Sequence, residues 1–400
     1  MDKGKLKREG QKWVDDEIIT KAQLEQILDR YQKRDPNFLL VLFAVLLTGL
    51  GFLTFIFSDW AQVPHFSRVL IVLVVTIGLY VLGDFLHRKR SILLGISFIS
   101  LGYIVFGAGM FLILNIYQVQ VWSVWPFIIW SIIGLILYFI YEHKLLYALG
   151  LTVITVGQIY SEMNFSDFNW ILFLVFLIGF AHFTYHHANR LFGYLFALSF
   201  VLQMLMLILS YSKDYYWLII YILILYIVSQ YIPKQPLKEA FYYTSLLSIF
   251  ILGMAQAFML QDDFYLGRLQ FETIFFIVWG ILFVLSLLSK IMQKRQLEII
   301  DLILFLPIYY LPFPSMFALI ILFVFSICWL IIGYQQDNNS QIQTGTIAFL
   351  LSTFTVYIQY AWDTMNKSLF FFVGGILLFL ISFIFQRQRK KLLESGGTKK

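Results

Sequence analysis

Between residues 38 and 386 the chain repeats one pattern, a long apolar run followed by a short break of charges, prolines or polar clusters. About 20 apolar residues cross the hydrocarbon core of a bilayer as an α-helix. Read with that length, the runs predict 14 spans near 38–58, 69–86, 92–114, 122–141, 145–160, 170–187, 191–211, 216–232, 240–260, 272–289, 298–312, 315–334, 343–360 and 368–386. The fifth and the eleventh are short, and either one, if re-entrant, would change the parity of the count. The expected class is an all-α, polytopic membrane bundle (38–386), preceded by a charged module (1–37) and followed by a basic tail (387–400).

Composition agrees with the pattern. The 400 residues are 60% hydrophobic and 13% charged, with a mean hydropathy of +0.79, whereas soluble domains run near 45–50% apolar and about 25% charged. A globular cytosolic enzyme, a disordered chain and a secreted disulfide scaffold are excluded. The single cysteine, Cys328, supports neither a disulfide framework nor a cysteine-based metal site. Residues 1–37 hold nine Lys/Arg and eight Asp/Glu and no apolar signal region, so insertion is expected to begin with the first span.

Lys and Arg in short loops stay on the cytoplasmic side. With the N-terminus inside, the inner segments hold 25 of the 29 basic residues, and only Arg68, Lys213, Arg268 and Lys367 fall outside. The outer loops carry acids instead, among them Asp59, Glu162, Asp167, Asp214, Asp262, Asp263 and Asp363. An even number of spans with both ends cytoplasmic follows. The basic balance reports topology, and nucleic acid is not expected as a partner. Residues 386–391, Gln-Arg-Gln-Arg-Lys-Lys, form a juxtamembrane patch suited to anionic lipids at the cytoplasmic face, at about 1 kcal/mol per basic residue.

In the first 37 residues Thr20 and Gln23 fit a capping box, with Leu24, Ile27, Leu28 and Tyr31 at helical spacing until Asp35-Pro36. An earlier helix over Lys5–Val14 would set Leu6 and Trp13 against it as an αα-hairpin, lying on the membrane or on cytoplasmic loops, with residues 1–36 the candidate segment for a protein partner. A DNA-reading helix-turn-helix is the competing reading, which two helices and a near-balanced charge disfavour.

Trp13, Ile18, Gln23 and Ile27, then an apolar span, then Trp60, Pro64 and Arg68 resemble the bacterial predicted-membrane-protein family filed as domain-of-unknown-function family 2157. Gly102, Gly107, Ala108, Asn115, Ile116 and Tyr117 are similar to that family's glycine-alanine run ending in an Ile-Tyr pair. The resemblance covers roughly residues 5–150. Two strings depart from it: Asp59-Trp60-Ala61 stands where an Asn-Trp-Asp loop is expected, and Asn115-Ile116-Tyr117-Gln118 where Gln-Ile-Tyr-His is usual. The resemblance implies a multi-pass protein of a bacterial plasma membrane and no particular activity.

Gly95, Gly102 and Gly109 recur every seven residues in the third span, as Gly150 and Gly157 do in the fifth. Such a stripe drifts only about 20° per heptad and lets helix backbones approach in lipid. It predicts a tight seam, or alternatively a sliding interface.

Ionisable groups inside a membrane mark functional sites by default. As charged groups, only Asp301 and Asp84 fall in the interior of the spans, both towards the cytoplasmic end; Gln158 and Gln203 are the uncharged candidates. The bland expectation for Asp301 is hydration or pairing with Lys294 or Arg295. Five of six histidines map to cytoplasmic span ends. His182 and His186, four apart, share a helix face and could hold one metal, and Asp84 precedes His87 by three. Membrane di-iron hydroxylases need about eight histidines, and the interfacial reading of amphipathic rings at a boundary stands beside a mononuclear zinc site. No Walker loop, His-Glu-x-x-His, Gly-x-Ser-x-Gly or dinucleotide fingerprint occurs. No enzyme, no catalytic residue and no cofactor is expected. Two functions remain: a transporter or flippase-like carrier of an amphiphilic, lipid-like substrate, and a non-catalytic scaffold or envelope-stress and signalling component acting through its N-terminal hairpin.

Overall fold

The architecture comes from a computed structural model, which describes residues 3–30, 38–57, 64–89, 91–119, 123–261, 272–293, 295–336 and 338–361, with isolated positions between 366 and 383. Trp60, Lys294, most of the expected span 368–386 and the tail 387–400 lie outside the described residues. Among those described, the chain is predominantly helical and contains no strand.

The helices are α1 (Lys3–Asp15), α2 (Lys21–Arg30), α3 (Phe38–Phe57), α4 (His65–Lys89), α5 (Ile92–Ile116), α6 (Trp125–Tyr141), α7 (Lys144–Phe165), α8 (Trp170–His187), α9 (Arg190–Ser210), α10 (Trp217–Tyr231), α11 (Gln235–Met259), α12 (Thr273–Met292), α13 (Pro314–Gln335) and α14 (Asn339–Ala361). Eight of the described helices, α4, α5, α7, α8, α9, α11, α12 and α13, are long and apolar enough to cross a membrane, and α6 and α10 are shorter apolar helices. They form two compact units, Met1–Gly150 and Leu151–Lys400, so the expected membrane domain 38–386 runs through both.

Local chemistry sets the ends. Thr20 N–H donates to Gln23 Oε1 (2.9 Å) and Gln23 N–H to Thr20 Oγ1 (3.3 Å), the reciprocal bonds of a capping box opening α2. Leu24 on α2 is buried where the chain passes Gly10 of α1. Asn169 and Asn189 cap α8 and α9, accepting from Leu172 N–H and Leu191 N–H at 3.0 Å each. Proline at the first turn opens α6, α11 and α13, where the missing N–H is no loss. The Asn115-Ile116-Tyr117-Gln118 string closes α5: Gln118 takes φ 49° and Val119 N–H donates to Leu114 O (2.9 Å), a Schellman ending.

In the first unit the glycine stripe faces α4. A Cβ on Gly95 would run into the His87 backbone, one on Gly102 would meet the Tyr80 ring and Leu79, and one on Gly109 would meet Val72. Gly83 of α4 returns the favour against Ile99 of α5. Small residues thus bring the two backbones together over their whole length, the contact that holds helices in lipid. Across the other side of α5, Tyr103 Oη donates to Trp130 O and Trp130 Nε1 donates to Tyr103 O, both at 3.0 Å, locking α5 to α6.

The second unit contains two departures from α-geometry. Residues Phe176–Phe180 of α8 form a π-turn, where Phe176 stacks on Phe196 at 4.4 Å. The eleventh expected span is not an α-helix: Gln296–Phe305 is a 3-10 helix, followed at Pro307 by a second short 3-10 turn, Ile308–Tyr310. At about 2 Å per residue the stretch 296–310 reaches about 30 Å, near the thickness of a hydrocarbon core, where an α-helix of equal length would reach only about 23 Å. Non-helical backbone at such depth is tolerated when protein covers it. Here Asp301, Leu302, Leu304, Phe305, Ile308 and Tyr309 are all buried, and Trp279 Nε1 donates to the Phe305 carbonyl at 2.8 Å.

Contacts between helix ends follow the alternation of an up-and-down chain. In the second unit, Lys213 before α10 pairs with Glu272 before α12 (3.1 Å). At the opposite ends Arg190 pairs with Glu239 (2.6 Å), and Lys234 Nζ donates to Tyr185 O (2.5 Å) at the close of α8.

Candidate functional site

One buried polar cluster stands out in the second unit, and Asp301 is its centre. The 3-10 winding turns this carboxylate inward, where it is 0% exposed. Tyr226 of α10 and Tyr242 of α11 donate their hydroxyls to Oδ2 at 2.8 and 2.7 Å, and Trp329 of α13 donates Nε1–H to Oδ1 at 3.0 Å. Lys290 of α12 places Nζ 3.8 Å from Oδ2, pairs directly with Glu298, and lies over both tyrosine rings at 5.1 Å. Arg295 reaches Glu298 at 3.6 Å. Four helices and the 3-10 stretch thus contribute to one ionic and hydroxyl network, and charge-assisted bonds of this kind are the strong class.

The expectation for Asp301 is corrected in its partners. It is fully buried, and among the described residues the cation within ion-pair distance of it is Lys290, not Arg295; Lys294 lies outside the described residues. The sequence boundary at 289 also left Lys290 outside the tenth span, yet α12 runs on to Met292 and the lysine is 1% exposed. The available signal was the polar stripe Ser286, Ser289, Lys290 and Gln293, at helical spacing on one face of α12. That stripe meets α10: Gln230 Nε2 donates to Ser286 Oγ (3.2 Å), and Gln293 Nε2 donates to Gln230 O (3.3 Å) and Ser289 Oγ (3.1 Å).

Beside the network opens a cavity of about 160 Å³, with Lys290, Ser229 and Gln230 at its buried floor and Lys238, Glu239 and Arg295 towards its rim. Gln230 Oε1 finds no partner there. In the first unit a separate apolar groove of about 380 Å³ runs along α4 and α5, lined by Val72, Thr76, Phe106, Gly109 and Met110 among others.

The remaining candidates are placed as follows. Gln203 is buried and donates to Ser199 Oγ (3.2 Å), which shares a 2.6 Å bond with Thr155, tying α9 to α7. Gln158 is buried and, with its amide suitably turned, bonds both backbone groups of Asn169 at 3.0 and 3.3 Å, tying α7 to the start of α8. Asp84 takes Arg88 (2.9 Å) and the Tyr141 hydroxyl (3.1 Å), while His87 packs edge-on against Tyr141 with its Nδ1 buried. His182 and His186 do share a face, their rings 4.1 Å apart, with His186 Nδ1 at 3.0 Å from the His182 carbonyl. Among the described residues no three His, Cys, Asp or Glu side chains gather as a metal would require. His143, between α6 and α7, accepts from Leu145 N–H at 3.2 Å through Nδ1; burial, then Lys144 and His87, hold its imidazole below the usual value.

Residues resembling the family serve local structure. Trp13 O accepts from Ile18 and Ile19 at the close of α1, Pro64 O accepts from Arg68 N–H in the first turn of α4, and Asn115 O accepts from Gln118 N–H beside Tyr117 in the ending of α5. Residues 11–147 match the family described as Predicted membrane protein (DUF2157), so the resemblance holds over that stretch. The Asp301 network lies wholly beyond it. No curated protein and no solved structure matches the chain.

Proposed function

We propose that this membrane protein is a flippase-like carrier of an amphiphilic, lipid-like substrate, seated in a bacterial plasma membrane with 14 spans and both ends cytoplasmic, and that it works without catalysis or a cofactor. The observation that carries the reading is the Asp301 network beside its polar cavity. Ionisable groups are costly inside a membrane protein and are kept where a pathway needs them. Carriers build such sites on broken helices, and the 3-10 stretch interrupted at Pro307 supplies one. The apolar groove on α4 and α5 suits an acyl chain. The pairing of helix ends supports the alternation from which the orientation was read.

The test is reconstitution of the full chain in vesicles carrying headgroup-labelled lipids of several classes, with bleaching of the outer leaflet by a membrane-impermeant reductant. Faster exchange than in empty vesicles supports the carrier. No protein-dependent exchange of any lipid class by a folded preparation sinks it. The scaffold reading draws on one observation, the apolar Ile18, 68% exposed in the turn between α1 and α2. Under that reading, deleting residues 1–36 abolishes partner binding, whereas a carrier keeps its lipid exchange.

A further inference from the structure

The cavity next to Asp301 has a charge balance that the network does not close. Three cations surround it: Lys238, Lys290 and Arg295. Glu298 takes both Lys290 and Arg295, and Asp301 faces Lys290. Glu239, also on the wall, is held by Arg190 and by Gln235 (2.9 Å). Lys238 has no carboxylate within ion-pair distance among the described residues. Two carboxylates therefore face three cations, leaving one positive charge without its counterpart.

A second observation points the same way. Gln230 is 6% exposed, lines the cavity, and has one amide atom without a partner. Amide orientation is an assignment: turned over, Oε1 would accept from Ser286 Oγ and Nε2–H would be the group left over. The cavity then offers donors from Lys238, Lys290, Arg295 and Gln230, with the Tyr243 ring on its wall. A carboxylate has two oxygens and leaves some of these donors unmatched. A tetrahedral phosphate presents oxygens in several directions and suits the guanidinium fork of Arg295. The volume of about 160 Å³ falls below the roughly 300–1,000 Å³ of drug-sized sites, which fits a single small headgroup.

We propose that this cavity binds a phosphate-type anion, with Lys238 and Arg295 as its rim contacts and Lys290 and Gln230 at its floor. The anion is either free phosphate or the phosphate of an anionic lipid headgroup. In the second case the proposal rests on the carrier reading and names its substrate class.

The full chain, purified in an uncharged detergent and stripped of lipid, is titrated with inorganic phosphate, short-chain phosphatidic acid and short-chain phosphatidylcholine, and binding is read by native mass spectrometry. Saturable binding of inorganic phosphate supports the site and assigns it to the free anion. Binding of phosphatidic acid alone supports it and assigns it to the headgroup. Lys238→Gln and Arg295→Gln are each expected to weaken the bound species at least tenfold, with Lys238→Arg restoring most of the affinity. Lys238 stands at the partly exposed rim and outside the Asp301 hydrogen bonds, so an unchanged elution profile verifies its fold. Absence of saturable binding, or binding unaltered in the Lys238→Gln/Arg295→Gln variant, overturns the proposal. Phosphate binding without lipid exchange removes the carrier and keeps this site; lipid exchange with no saturable binding of phosphate or phosphatidic acid does the reverse.

Discussion

Replacing Asp301 with alanine strips three buried donors of their acceptor at once, and the stability lost can be worked from the geometry. Tyr226, Tyr242 and Trp329 all donate to this carboxylate. Each buried donor left unsatisfied costs about 1–3 kcal/mol, so the three set a span of about 3–9 kcal/mol. Neighbours in one network are not additive, and breaking a buried pair by removing one partner typically costs about 3–5 kcal/mol, which is the expected loss. Tyr226→Phe or Tyr242→Phe removes one bond to a charged group, at about 1.5–3 kcal/mol. Asp301→Asn keeps volume and an acceptor, and falls below alanine in cost. Equilibrium unfolding of the full chain in mixed detergent and dodecyl sulfate micelles reads each difference.

The sharper test lies in the combination. If the hydroxyls truly donate to Asp301, adding Tyr226→Phe and Tyr242→Phe to Asp301→Ala deletes the orphaned donors, and the triple variant should recover about 2 kcal/mol relative to Asp301→Ala alone. If instead the two Phe substitutions add their own full cost on top of the alanine, the hydroxyls are not held by this carboxylate and the network as argued is wrong.

Other consequences are separate. Gly95→Ala forces a Cβ into the His87 backbone, which no side-chain rotation relieves; more than about 3 kcal/mol should be lost, whereas Gly78→Ala, with nothing within 4 Å, should be neutral or gain up to about 1 kcal/mol, as thermal unfolding followed by fluorescence would show. Thr20→Ala removes the acceptor for Gln23 N–H and should cost about 1 kcal/mol, seen as faster hydrogen exchange of the amides opening α2. Burial holds the His143 imidazole below its usual value, and its Nδ1 accepts a backbone N–H. With its folded value below the unfolded one, the fold disfavours the protonated ring, so stability is full above the ordinary histidine range and declines as pH falls through it. His143→Asn should flatten that decline in unfolding curves taken between about pH 7.5 and 5; an unchanged slope would remove His143 as its source.

The parts legible in the sequence are those whose signal is local. Thr20 and Gln23 form their capping box from four consecutive residues, and the seven-residue glycine spacing needs only helix geometry to become one face. Even Asp301 was singled out, because a charge within an apolar run stands out whatever surrounds it. What escaped was relational. The 3-10 winding of Gln296–Phe305 has no composition of its own; it is held by Trp279 from α12 and covered by α13. In the sequence Lys290 looks like a loop charge because Gln293, Lys294 and Arg295 follow it, and a run of polar residues at the end of an apolar stretch looks like a boundary.

The same blindness explains Gln230. In α10 it follows Ser229 and precedes Tyr231 near the span end, where a glutamine needs no explanation. Only the approach of α12, which brings Ser286 and Gln293 to it, shows that its amide is buried and half used. A membrane chain so poor in charge concentrates its information in the few polar side chains that several helices agree to bury together. The place where α10, α11, α12, the 3-10 stretch and α13 all supply one is therefore where its chemistry should be sought, although the family match ends at residue 147.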